Sequence, residues 1–314
     1  MKIFIITILL MTITLFIKCN KDEAIPFVNI PDDNFLDALI ELGIDTNGDG
    51  KISFEEAEMV ESLEIMNKSI QSLTGISKFE NLIILGCSSN SLTSLDVTKI
   101  TQLIYLNCSY NQLTSLDLSN NANLNYLYCT GNELTLLDVS NNTQLNHLAC
   151  ILNQLTSLDV FNNTKLTELD CGGNQLSLLD ISNNVNLESL DCTYNHINSL
   201  DISNNPHLTE LYCGSNPLNF LDVSNNTKLL ELHCDLNSLT SLDVSNNTHL
   251  NYLNCSYNQL TSLDISNNIA LERLELYYMP SLQEVCVWIV PFPPQEVEID
   301  TTGSSNIYFT TNCN

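Results

Sequence analysis

The sequence predicts a mainly β fold: a solenoid of parallel strands with shallow curvature, a small helical cap before it and a β-rich cap after it. Three observations predict this. From about Leu82 to Leu276 one phrase recurs every 21 residues. A cysteine holds the same slot at Cys87, Cys108, Cys129, Cys150, Cys171, Cys192, Cys213, Cys234 and Cys255, and an asparagine follows three residues after each, from Asn90 to Asn258. Within one copy the apolar residues Leu145, Leu148, Cys150, Leu155, Leu158 and Val160 come in fixed order before Leu166 begins the next. A constant period of this length marks a stack of coils, each burying its apolar edge only against its neighbours.

The phrase L-x-x-L-x-C-x-x-N-x-L resembles a leucine-rich repeat with cysteine in place of one leucine. Along its first strand Leu148 and Cys150 point inward while His147, Ala149 and Ile151 point outward. Asn153 turns inward, where its amide can satisfy backbone groups between coils. The pair Leu158 and Val160 also alternates, which predicts a second strand on the opposite face. The nine ladder thiols read as small, reduced core residues. Side-by-side Cβ vectors do not converge as a disulfide requires, an odd number cannot pair completely, and no CxxC spacing supports zinc.

Bulk composition bounds the function. The chain has 314 residues, 44% of them apolar, so it can bury a large core, drawn out here into a column. Its formal net charge is −27, with only 10 Lys and Arg, a balance that repels phosphate backbones and argues against nucleic-acid binding.

Taken in order, residues 1–18 read as an export signal: Lys2 supplies positive charge and Ile3 to Ile17 is apolar apart from three threonines. The signal ends at Cys19, and residues 19–25 form a tether. Leu15, Phe16 and Cys19 resemble a bacterial lipobox, and the Lys21-Asp22-Glu23 that follows resembles the surface-export signal of Bacteroidetes lipoproteins. Lys18 departs from the small residue usual before the cysteine. The resemblance implies lipidation at Cys19 and an outer-membrane, cell-surface location, with ordinary secretion as the alternative and no membrane contact beyond the lipid.

Residues 26–60 read as a helical cap. Asp32 or Asp33 caps a helix from Pro31 to Leu42, with Phe35, Leu36, Leu39 and Ile40 as its apolar stripe and Gly43 as its stop. The loop from Asp45 to Glu56 then matches the EF-hand pattern. Asp45, Asn47 and Asp49 offer side-chain oxygens, Gly50 the sharp turn, Lys51 its carbonyl, Ser53 a water-holding position, and Glu56 two oxygens. Such hard ligands predict one structural calcium ion, as in the EF-hand-like segments that precede repeats in some bacterial surface proteins. An exit helix is expected from Phe54 to Val60.

Residues 61–276 are the repeats, about ten coils. The first is degenerate (Leu63, Ile65, Ile70, Leu73, Gly75, Ile76), and its I-x-x-L-x-G-I phrase resembles the repeats of internalins. The whole block resembles the internalin subclass with 21-residue cysteine-ladder repeats. That resemblance implies surface display and binding of a protein or host factor. Residues 277–314 read as a β-rich terminal cap, closed by a Cys286–Cys313 disulfide in an exported protein.

Nine aspartates, from Asp96 to Asp264, stand between the second apolar pair, and the turn chemistry predicts that each accepts an amide from Ser or Asn downstream. Of eleven tyrosines, ten fall in the outward slots of the first strand or the turn after it: Tyr105, Tyr110, Tyr126, Tyr128, Tyr194, Tyr212, Tyr252, Tyr257, Tyr277 and Tyr278. Acids gather midway on that surface at Glu168, Asp170, Asp191, Glu210, Glu231 and Asp235, with His147 and His233 flanking and Arg273 at the far end. Aromatic side chains concentrated on one face predict a binding surface for a protein partner or, alternatively, a glycan, with a passive structural role as the third reading. A monomer is expected. No catalytic set emerges, because acids on an open, solvated sheet have no cleft to raise one pKa above another.

Overall fold

The computed structural model describes residues 26–294 and 297–313, so the expected export signal and tether, with Cys19, lie outside the described residues. Two short helices, α1 (Asp33–Glu41) and α2 (Phe54–Glu58), precede fifteen three-residue strands. These are β1 (Ser62–Glu64), β2 (Ile84–Gly86), β3 (Tyr105–Asn107), β4 (Tyr126–Tyr128), β5 (His147–Ala149), β6 (Glu168–Asp170), β7 (Ser189–Asp191), β8 (Glu210–Tyr212), β9 (Glu231–His233), β10 (Tyr252–Asn254), β11 (Ser262–Asp264), β12 (Arg273–Glu275), β13 (Glu284–Cys286), β14 (Glu298–Asp300) and β15 (Tyr308–Thr310). Twelve of them form one all-parallel sheet, β1 through β10 in sequence order, then β12 and β14. From β2 to β12 each coil sits one 21-residue step from the last; Tyr126, for example, pairs with Tyr105 before it and His147 after it. The tail adds β14, so the stack reaches twelve strands rather than about ten coils.

Leucines and the nine free cysteines fill the column between the faces, all buried. Burial pushes the thiols up, Cys108 and Cys150 to about 12, so they stay protonated and unreactive at neutral pH. In each coil an asparagine closes the corner after the strand. Asn153 Oδ1 accepts from the Leu134 amide at 3.0 Å, and its Nδ2 donates to the carbonyls of Cys129 and Cys150 at 3.0 and 3.1 Å. A second asparagine column, from Asn121 to Asn268, is fully buried on the other side of the coil. Asn163 Nδ2 donates to the carbonyl of Val139 at 3.1 Å and to the backbone carbonyl of Asn142, its counterpart in the coil before, at 2.9 Å.

The face beside this second column departs from expectation. The Leu158–Val160 segment and most of its equivalents form no strand; among the described residues a second sheet exists only at the C-terminal end, in the order β11-β13-β15. Along the repeats each of these carbonyls accepts twice, Val97 from the Ile100 amide and Asn121 Nδ2, Val139 from the Asn142 amide and Asn163 Nδ2. All nine aspartates accept the amide two residues on, from Asp96 with Thr98 to Asp264 with Ser266.

The N-terminal cap differs in detail from the sequence reading. Asp32 caps α1, accepting from the Phe35 amide through Oδ1, and its Oδ2 accepts from Gln71 and Ser72 of the first coil, which ties cap to column. Ala38 is buried and Ile40 exposed, because α1 docks on Phe35, Ala38 and Leu39. The exit helix ends at Glu58, two residues before Val60. Gly75, at φ 102°, packs so closely that a Cβ would lie 2.7 Å from the Asn29 carbonyl oxygen. At the other end Cys286 and Cys313 are joined in a disulfide, Cα to Cα 5.6 Å. Among the described residues no helix is long and apolar enough to cross a membrane.

The hydrogen-bond pattern yields a direct comparison of neighbours. Asn153→Ala removes a buried acceptor and donor at once and should cost about 2–4 kcal/mol in urea unfolding, whereas Asn162→Ala, whose exposed side chain holds one carbonyl, should cost under about 1 kcal/mol. Equal losses would remove the asparagine column from its structural role.

Candidate binding face

The outward residues of the twelve-stranded sheet form two files, one from the first and one from the third position of each strand. Because the strands are in register, each side chain meets its counterpart one coil away. Toward the N-terminal half, Tyr105 lies against Tyr126 (ring centroids 6.2 Å) and Tyr128 (5.6 Å), and Tyr126 stacks on His147 at 4.9 Å. His147 Nδ1 in turn meets Glu168 Oε2 at 2.6 Å. Toward the C-terminal half, Tyr212 stacks on His233 at 4.7 Å, and His233 meets the Tyr252 ring edgewise at 4.3 Å. Arg273 lies 5.0 Å above the Tyr252 ring and pairs with Glu275 Oε1 at 2.6 Å. The face therefore carries two aromatic patches with acids between them.

The middle is electrostatically crowded. Asp170 and Asp191 are register partners on β6 and β7, and Glu210 and Glu231 on β8 and β9. The Ser189 hydroxyl donates to Glu210 at 3.2 Å and the Tyr212 hydroxyl to Glu231 at 2.7 Å, which holds these acids in place. Burial, with Glu168 and Asp191 close by, pushes the Asp170 carboxyl up to about 6. The expectation that an open sheet cannot separate pKa values fails here, since side chains packed one coil apart desolvate Asp170 without a cleft. Burial likewise raises Asp235 and lowers His233.

The sequence-predicted residues Tyr105, Tyr126, Tyr128, His147, Glu168, Asp170, Asp191, Glu210, Tyr212, Glu231, His233, Tyr252 and Arg273 all lie on this face, all but the exposed Arg273 half-buried. Tyr110, Tyr194, Tyr257 and Tyr278 do not share it. They stand on the turn after the strand with positive φ, 47–55°. Here a bulky residue alternates with a small one: Gly131 follows Tyr110 and Gly173 follows Leu152, and a Cβ on either glycine would lie within 3.0 Å of the preceding large side chain. Sequence reasoning missed this edge; the signal was a bulky residue two positions after the cysteine in alternate coils, at Tyr110, Leu152, Tyr194 and Leu236.

The cap loop is the second candidate site. Asp45 Oδ1 accepts from the Gly48 and Asp49 amides and Oδ2 from Gly50, while Asn47 and Asp49 accept from Asp49 and Lys51, so the side-chain oxygens organise the turn. Glu56 is buried. Oε1 accepts from the Thr46 amide and hydroxyl, and Oε2 from those of Ser53, which caps α2. The Ser53 amide above all holds the Glu56 carboxyl down at about 2. The oxygens of Asp45, Asp49 and Glu56 do not all lie within 4.8 Å of one another. The donor set suits a hard cation in type and order, and Glu56 already closes the loop through hydrogen bonds.

These features define a leucine-rich-repeat solenoid of parallel strands, with an aromatic and acidic strand face. The chain is similar to the functional domain of InlJ from Listeria monocytogenes, which includes a cysteine ladder: 38% identity, TM-score 0.84, covering 90% of this chain and 62% of that one. It therefore spans less than two thirds of that domain. The internalin InlF of Listeria monocytogenes shares the fold at 20% identity and TM-score 0.54, covering 91% of this chain and 96% of that one. So does the ectodomain of the Arabidopsis thaliana receptor kinase GASSHO1/SCHENGEN3, at 24% identity and TM-score 0.67, covering 81% and 33%. No protein-family model matches the chain, and no curated protein is significantly similar to it.

Asp170 gives a pH prediction. A carboxyl raised in the fold is penalised once ionised, so the penalty is absent below about pH 4 and full above about pH 6. Asp170→Asn should stabilise the protein at pH 7.5 by roughly 1 kcal/mol, after discounting for partial exposure, and leave it unchanged at about pH 4. Thermal melts at the two pH values check this, and no gain at the higher one contradicts it.

Proposed function

We propose that this is an exported surface protein that binds a protein partner through its strand face, without catalysis. One observation carries the reading: two aromatic patches, Tyr105/Tyr126/Tyr128/His147 and Tyr212/His233/Tyr252, bracket the acids from Glu168 to Glu231 on a rigid, register-locked sheet. Half-buried tyrosines supply contact area at little entropic cost, and acids between them select a partner with basic residues there. The similar plant ectodomain was solved in complex with Casparian strip integrity factor 2, which supports a protein ligand for a solenoid of this architecture. Lipid anchoring at Cys19 and a monomeric state belong to the same proposal.

Purified Ala24–Asn314 would be tested on surface-protein and glycan arrays beside Tyr126→Ala/Tyr128→Ala. Loss of binding by at least about tenfold in the folded variant is expected on the protein array. Glycan binding lost in the same variant would favour the glycan alternative, and binding unaffected by the substitutions would reject the face.

We further propose that the cap loop holds structural calcium through Asp45, Asn47, Asp49, the Lys51 carbonyl, Ser53 and Glu56. Calcium would add a fixed positive charge among these oxygens and stiffen the junction of cap and column. Titration calorimetry should show one site that Asp45→Ala abolishes, and calcium should raise the melting temperature of the wild type only. Heatless titration with no change in melting would reject it.

A further inference from the structure

Away from the strand face, the surface carrying the aspartate column is built mostly from serine. The position before the second buried leucine is Ser94, Ser115, Ser157, Ser199, Ser241 or Ser262 in six coils. In three others it is Leu136, Leu178 and Phe220, spaced by 42 residues, and these expose 66, 67 and 63% of their surface. Phe161, 57% exposed, stands where its neighbours carry Ser140 and Ser182 and lines a groove of about 370 Å³ together with Leu178. Phe220 lines a similar groove of about 380 Å³ three coils on. No internal contact requires side chains this large and this exposed, since serine serves the same backbone position elsewhere.

Spacing and charge specify the occupant. Residues two coils apart on a parallel stack are about 10 Å apart, and a helix advances about 10.5 Å per heptad. The flanking carboxylates Asp138, Asp159, Asp180, Asp201 and Asp222 form an unbroken acidic rail beside the apolar file. The Ser hydroxyls and amides that hold Asp138, Asp180, Asp201 and Asp222 lower their carboxyls, so these four stay charged. A second copy of the chain, at net charge −27, is repelled from it.

We propose that Leu136, Phe161, Leu178 and Phe220 form a second docking surface, separate from the strand face, for a cationic amphipathic helix of a partner protein lying along the solenoid axis. Its apolar side chains at heptad spacing seat on the file, and its Lys and Arg side chains meet the aspartate rail.

The test uses the full exported chain and a fluorescent three-heptad peptide with leucine at a and d and lysine elsewhere. A scrambled peptide of the same composition is the control. Anisotropy titration at physiological salt should show saturable binding of the helical peptide and at least about tenfold weaker binding of the scrambled one. Leu136→Ser/Leu178→Ser/Phe220→Ser places in these coils the residue that six others carry, so the fold is retained, as circular dichroism would confirm. This variant should bind at least about tenfold more weakly. Tyr126→Ala/Tyr128→Ala should bind as the wild type does, which separates this surface from the proposed strand-face function. Equal binding of both peptides, an unchanged triple-serine variant, or loss only in the tyrosine variant would each overturn the proposal.

Discussion

Everything in this molecule depends on side-chain amides that satisfy backbone groups between coils. A coil of 21 residues turns tightly and has a three-residue strand on one face only, so most of its backbone polar groups find no ladder partner. Leaving such groups buried and unpaired costs about 1–3 kcal/mol each. The Asn153 column bridges three carbonyls and one amide per coil, and the Asn163 column bridges two carbonyls. Asparagine suits both because one short side chain carries a donor pair and an acceptor. The second column is imperfect: the Oδ1 atoms from Asn121 to Asn268 have no protein donor, a residual that each coil carries in exchange for two satisfied carbonyls.

With the polar accounts closed by asparagine, the remaining interior positions are free to be apolar and small. Cysteine fits between facing leucines, and its burial keeps the thiol neutral. The same regularity is what makes the faces useful. Register fixes the separation of every outward side chain from its neighbours, so aromatic stacking between coils and crowding of acids arise from the repeat itself rather than from loops. A sheet of this kind raises the Asp170 carboxyl through burial and the carboxylates of neighbouring coils, and it holds the tyrosines in fixed register with one another.

The architecture was legible because a 21-residue period with leucine, cysteine and asparagine in constant register admits one physical solution, a stack of parallel coils. The inward role of Asn153 and the turn role of the aspartates could be read from local chemistry alone, since both act within one coil or its immediate neighbour. The residues of the strand face were legible too, because alternation along a strand assigns each side chain to a face.

What the sequence could not decide are matters of competition between groups distant in the chain. That Leu158–Val160 forms no strand, although it alternates, is visible only in the stacked coils, where the Val160 carbonyl accepts from the Asn163 amide and from Asn184 Nδ2 of the next coil. The left-handed backbone of Tyr110 and its close packing on Gly131 of the next coil are set by contact across coils. Docking of α1 through Ala38 rather than Ile40 follows from where Asp32 meets Gln71 and Ser72. The period determined the coil; only the packing of one coil on the next decided which polar group pairs with which, because each choice is settled by distances that no single repeat contains.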